Sequence, residues 1–335
     1  MKAHQNPASA PEANPLLKDP LLREASNALK AKHKEINRYT YFSIPIAVCS
    51  VGALFINAWL CAAILAFSIC YLLFFLKPKR KEFSHLFNHY HMLIGGGKQL
   101  ENVTHEMKAG VSAEDIRAAR LIPCGENDKF LMRREHVTGL CKNMPVELCD
   151  ASLVYRYKSG RSRRGYCVTG IWAKLQLPAS TGCDWRFVER SVLNELARRS
   201  YFGSFPDLER TPLDVDWFDK KYYFYRPKGS TEQPDALFLK QLKLLQEYTP
   251  GLLCVSVKDD LLQVFVCGRV MARNIPFGSG IALEDIMARP FPELDYLVRM
   301  GHILSKQEKE VLVPELPAGA APEETASAEA QPAQE

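Results

Sequence analysis

Between Arg38 and Lys77 the chain carries no Asp, Glu, Lys or Arg, and this uncharged stretch decides which folds are open to it. From Phe42 to Leu76 it runs about 35 residues, roughly 52 Å as α-helix, whereas one crossing of a ~30 Å hydrocarbon core takes about 20 residues. One span leaves too much chain and two leave almost none to spare. Ile56-Asn57-Ala58-Trp59 marks a break near the middle: an amide that turns well, then an indole suited to headgroup depth. The sequence therefore predicts a two-helix transmembrane hairpin, 42–56 and 58–76, within a segment 39–77. Basic clusters flank it on both sides, Lys30, Lys32, Lys34 and Arg38 before, Lys77, Lys79, Arg80 and Lys81 after. A single span would strand one cluster on the wrong side, so both termini are expected in the cytoplasm. Tyr39, Tyr41 and Phe42 form an interfacial belt at the entry. Pro45 is placed in the first helical turn, where a missing N–H costs little. The competing readings are a buried core hairpin and a re-entrant loop that never crosses. Two short spans suit a thin membrane with modest tilt.

With both ends cytoplasmic, the residues after Lys77 face reducing conditions and the ten cysteines read as thiols. Cys49, Cys61 and Cys70 fall in the hairpin, and the other seven form no Cys-x-x-Cys pair, so zinc is not expected. A cleaved secretory leader is not expected either, because about forty mostly polar residues precede the apolar stretch. The net charge of +5 hides an acidic end, since Glu315, Glu323, Glu324, Glu329 and Glu335 follow Val313 with no Lys or Arg among them.

Five regions follow. Residues 1–38 pass from a Pro- and Ala-rich disordered start to a short amphipathic helix through Leu22, Ala25, Leu29 and Ile36. The hairpin segment occupies 39–77. Membrane-proximal helices occupy 78–119: one over Glu82 to Ile94, stopped by a flexible joint at Gly95-Gly96-Gly97, and one capped by Ser112. A cytoplasmic domain spans 120–312, and a disordered acidic tail 313–335. Within the domain, strands are expected over His136 to Leu140, Ala151 to Tyr157 and Tyr166 to Leu177, where Ile171, Ala173 and Leu175 alternate with Trp172, Lys174 and Gln176. That pattern predicts a half-buried antiparallel sheet. A helix capped by Asp184 is expected to reach Arg199, and an aromatic strand follows at Lys221 to Tyr225. Pro234 opens a helix ending near Tyr248, and a hairpin closes through Leu252 to Val257 and Leu261 to Cys267. The fold class is α+β: a two-helix hairpin, then an antiparallel sheet with packed helices.

This order of features, together with Gly110-Val111-Ser112, Ala119-Arg120-Leu121-Ile122-Pro123, His136-Val137-Thr138-Gly139, Val168-Thr169-Gly170-Ile171-Trp172 and the run Leu213 to Tyr225, resembles the DUF3137 family of bacterial membrane proteins of unknown function. The resemblance covers about Glu82 to Leu283. It implies a bacterial cytoplasmic (inner) membrane, multi-pass attachment and a cytoplasmic α+β domain, and it brings no catalytic residue.

Chemistry is sparse. His85 and His89, four apart on one helix, have the spacing of a metal pair, with His91 or His105 nearby, but no HExxH follows and an interfacial helix accounts for them better. Gly95-Gly96-Gly97-Lys98 lacks both the earlier Gly and the Ser or Thr of a phosphate loop. Asp214, Asp216 and Asp219 could gather a cation, although Lys220 and Lys221 beside them favour a solvated strand entry. The one surface signal with weight is the acid-free run between Asp150 and Asp184, where Lys158, Arg161, Arg163 and Arg164 crowd a hairpin tip. These four are the candidate contacts for anionic lipid headgroups or a partner; a solvated loop is the plainer reading, and nucleic acid is not expected for want of a stacking platform. The expected function is a membrane-anchored binding or scaffold module without catalytic activity, its protein partner unidentified and no cofactor, catalytic residue or metal implied. The alternative is a membrane-tethered hydrolase or metal-dependent enzyme whose site is assembled only by folding. Oligomeric state is not legible.

Overall fold

The computed structural model describes residues 19–54, 57–124, 131–159, 162–273 and 283–306. The expected disordered start and acidic tail lie outside them. Helix α1, Pro20–Leu54, is continuous from the amphipathic segment into the uncharged stretch. Pro45 is therefore interior to α1 and not in a first turn, because the helix starts a full 25 residues earlier. Asn57 caps α2, Ala58–Tyr71, its side-chain oxygen accepting from the Trp59 N–H at 2.8 Å. A π-turn, Leu72–Leu76, and α3, Lys77–Gly96, then prolong α2 without a break. The 38 residues from Trp59 to Gly96 make the one helix among the described residues that is long and apolar enough to cross a membrane.

The amphipathic period of α1 is satisfied by α3. Leu22, Ala25, Leu29 and Ile36 are buried against Phe83, Phe87, Tyr90 and Ile94. Where this packing meets the apolar stretch, Lys32 and Lys79 each reach both Glu35 and Glu82, at 2.7 to 3.5 Å. Beyond that lattice the side chains turn outward: Phe42, Trp59, Phe67 and Phe74 are all exposed. The Tyr71 hydroxyl donates to the Tyr39 carbonyl at 3.1 Å, tying α2 to α1 just inside the boundary.

The remainder is α+β, built on nine strands in one sheet of order β1-β2-β3-β4-β9-β8-β5-β7-β6, with every neighbouring pair antiparallel. The strands are β1 Glu101–Glu106, β2 Leu131–Cys141, β3 Met144–Ser159, β4 Ser162–Gln176, β5 Asp184–Glu189, β6 Leu208–Arg210, β7 Tyr222–Pro227, β8 Leu252–Lys258 and β9 Leu261–Cys267. Helices α4, Ala113–Ala119, and α5, Glu195–Phe202, lie on one face; α7, Ala236–Tyr248, and α9, Leu294–Leu304, lie on the other. The short α6, Asp216–Lys221, leads into β7, and α8, Leu283–Met287, packs on α3.

Three expectations change. The sheet is covered on both faces, not half-buried: Ile171 and Leu175 point to Phe238, Leu242 and Leu297, while Trp172 on the opposite face is fully buried beside Phe265 under α4. The predicted helix at Asp184 is strand β5, because it is an interior strand between β8 and β7 whose Trp185, Phe187 and Val188 are buried on both sides. The helix begins later, at Glu195, with Asn194 as its cap.

The glycine run is no loose joint. Gly95 and Gly96 are buried in the last turn of α3, and a Cβ on Gly95 would be driven into the carbonyl oxygen of Ala288. Gly96 faces Val103 and Val137. Alanine would favour the helix by about 1 kcal/mol, but overpacking against backbone costs about 1–3 kcal/mol. Gly95→Ala is therefore expected to lower the thermal unfolding midpoint of the detergent-purified protein. Gly165→Ala, where nothing lies within 4 Å of the added Cβ, should leave it unchanged.

Candidate functional site

A polar cluster lies where α3 meets the first three strands. An extra residue in β2 causes it: Arg134 pairs with Asp150 and Val137 with Leu148, so Glu135 and His136 together oppose Cys149. In this bulge Glu135 adopts φ 56, and its N–H donates to the Met107 carbonyl at 3.1 Å. The distortion turns the Glu135 carboxylate inward, where its Oε2 lies 2.8 Å from Nε2 of the fully buried His105 side chain on β1. Nδ1 of His105 lies 2.9 Å from Nδ1 of His89 on α3. The carboxylate only accepts, so His105 donates from Nε2. A neutral imidazole then has a bare Nδ1, which accepts from the Nδ1–H of His89. One chain of exchangeable protons thus runs from α3 to the bulge.

Three further bonds hold α3 to the segment after β9. The Asn88 side chain accepts from the Arg273 N–H at 3.0 Å, His91 Nδ1 lies 3.3 Å from the Ile286 carbonyl, and Gln99 donates to the Phe291 carbonyl at 3.1 Å. Asp150 anchors the same segment, accepting from the N–H groups of Met271 at 2.7 Å and Ala272 at 3.1 Å. Beside it opens a cleft of about 220 Å³ lined by Arg134, Glu135, Asp150, Ser152, Thr169 and Val270. Burial pushes the Asp150 carboxyl up to about 6, the two N–H donors opposing it and the Glu135 charge adding to it. Nearby, His136 first and Lys174 next hold Glu147 down at about 2.

The residues singled out by sequence are dispersed. His89 finds His105 but not His91, which is two positions on and so about 200° around the helix, facing α8. No group of three or more His, Cys, Asp or Glu able to hold a metal occurs among the described residues. The three aspartates do not gather: Asp219 accepts from the N–H groups of Leu213 and Val215, both at 3.2 Å, and Asp216 pairs with Lys220 at 2.8 Å. Arg161 and the side chains of Lys158, Arg163 and Arg164 lie outside the described residues. Burial raises the thiols of Cys124, Cys141, Cys149, Cys183, Cys254 and Cys267, Cys149 to about 12. These are protonated thiols, the opposite of a nucleophile's requirement. Glu135 and Asp150 went unnoticed because nothing in Arg134-Glu135-His136 signals a bulge, and Asp150 acts through backbone brought from β9.

No family model matches the chain, and no curated protein matches it. Among solved structures, the crystal structure of the mycobacterial trehalose monomycolate transport factor A, TtfA, is similar over 64% of this chain and 95% of that one, at 10% identity and a TM-score of 0.31. At that level the likeness carries no argument.

Because the folded carboxyl of Asp150 binds its proton more tightly than an ordinary Asp at 3.8, its contribution to stability is present at low pH and declines as pH rises. Relative to Asp150→Asn, wild-type stability should fall between pH 3.8 and about 6, by about 3 kcal/mol, and stay level above. Unfolding midpoints of both proteins across that range test this; a parallel pair of profiles would contradict it.

Proposed function

We propose that the chain is a membrane-anchored binding or scaffold module of the bacterial inner membrane. In this reading α1 beyond Arg38 and α2 cross as a hairpin and both termini are cytoplasmic. The single observation behind it is the helix from Trp59 to Gly96, whose first half is apolar and exposed and whose second half is packed into the sheet domain. Asn57, the helix cap at the far end, stands next to an exposed Trp59, the arrangement of a turn at headgroup depth. Basic residues at both near ends put that side in the cytoplasm. The likeness to the DUF3137 family belongs to the same proposal.

The basic tip fits this geometry. The β3–β4 pair runs on past Leu153 and Gly170, the last residues paired with described residues of β2 and β9, from Val154↔Cys167 to Ser159↔Ser162, as a ribbon toward the tip. Along α3, Gly96 lies at Val137, opposite Leu148, and Asn88 and His89 lie level with Asp150. Helix toward Lys77 and ribbon toward Ser159 therefore advance in the same sense. We read the tip, Lys158, Arg161, Arg163 and Arg164, as reaching for anionic headgroups, about 1 kcal/mol per cation before ordering costs.

A cysteine at Ala58, in a background without other reactive cysteines, should be labelled in intact cells by an impermeant thiol reagent, and cysteines at His4 or Ala330 should not. The reverse pattern overturns the topology. In nanodiscs, a fluorophore at Ser162→Cys should report a drier environment on anionic than on neutral lipid, and should lose that difference when Arg161, Arg163 and Arg164 become Ser.

A further inference from the structure

At the opposite end of the sheet, three guanidinium groups converge on one tyrosine. Strand alternation turns Tyr222 and Phe224 of β7 to one face and Tyr223 and Tyr225 to the other. On that second face Arg198 of α5, Arg190 just past β5 and Arg210 of β6 place their guanidinium carbons 4.0, 4.5 and 4.4 Å from the Tyr223 ring centre. Phe202 stacks on Tyr225 at 4.0 Å and 7°, which fixes α5 over β7, and Arg198 donates to the Tyr225 hydroxyl at 3.2 Å.

The charges are poorly matched. Arg198 lies 4.0 Å from Glu195, which is taken more closely by Arg199 at 2.5 Å, and neither Arg190 nor Arg210 forms an ion pair among the described residues. Arg198 is only 8% exposed, and the Nε–H groups of Arg190 and Arg198 are buried with no acceptor. Cation–π attraction explains why one guanidinium sits on a ring, but three within roughly 9 Å of one another repel, inside about one Debye length. Arg190 is half-buried and Arg210 exposed, so the cluster opens to solvent.

We propose that Arg190, Arg198 and Arg210 around Tyr223 form a binding site for a phosphoryl group. Guanidinium forks match the tetrahedral oxyanion in pairs, and a guanidinium that turns to chelate it also satisfies its idle Nε–H. A soluble phosphate compound and a lipid headgroup offer the same tetrahedral oxyanion, and the test below separates the two. The site stands independently of the membrane reading.

The test titrates inorganic pyrophosphate and inorganic phosphate into the full chain in neutral nanodiscs by calorimetry. Wild type should bind pyrophosphate saturably, and Arg190→Gln with Arg210→Ser should weaken it about ten-fold or more. The exposed single variant Arg210→Ser guards against misfolding and should show part of the loss at an unchanged melting midpoint. Arg199→Ser, outside the cluster, should bind as wild type does. A loss of pyrophosphate affinity in phosphatidic-acid nanodiscs, not shared by the double variant, would assign the phosphoryl group to a lipid; equal affinity in both assigns it to a soluble compound. Absence of saturable binding by wild type, or equal affinity in the double variant, overturns the proposal.

Discussion

The close approach of α3 to the backbone at Ala288 is the constraint on which the arrangement rests. Gly95 without a side chain lets the helix end seat itself, and the seat brings Met92 into the main core and His89 to His105. Polar groups then complete what van der Waals packing begins. Asn88 accepts from, Gln99 donates to and His91 lies beside backbone groups that would otherwise be stranded under a helix, and each unmet buried group would cost about 1–3 kcal/mol. The helix that carries the apolar stretch is thereby part of the domain's own core.

A two-sided sheet makes this seat stable. The β8–β9 hairpin is inserted between β4 and β5, so the last strands of the chain lie at the sheet's centre and their exit crosses Asp150 to reach α3. One carboxylate thereby links the centre of the sheet to the segment that holds α3. The two edges differ in character: the β1–β2 edge is closed by α3, and the β7–β6 edge displays arginines on an aromatic floor.

Local signals in the sequence were reliable where one interaction decides the outcome. Asn57 and Ser112 cap the helices they were expected to break or start, and the helix expected to open at Pro234 is capped one residue later by Asp235. The hairpin ending in β9 appears within a residue of its expected bounds, because alternation and turn residues act over a few positions. What failed depends on distant chain. Asp184 to Glu189 reads as a capped helix until β8 and β7 flank it. Strand β1 was not anticipated, since Glu101-Asn102-Val103-Thr104-His105-Glu106 is an edge strand with little buried apolar surface. A three-glycine run signals looseness locally, and only Ala288, nearly two hundred residues later, makes it a seat. The arginines around Tyr223 come from three elements and share no motif. The basic tip was legible as charge, though its place at the end of the long β3–β4 pair follows from their register.

The central claim is that the long apolar helix and the sheet domain move as one body. Spin labels at Leu65→Cys on α2 and Lys228→Cys beyond β7, both exposed positions, can be compared by pulsed electron double resonance in nanodiscs, in a background without other reactive cysteines. A docked α3 predicts one narrow distance distribution. A broad distribution, as a hinge at Gly95 to Gly97 would produce, contradicts it.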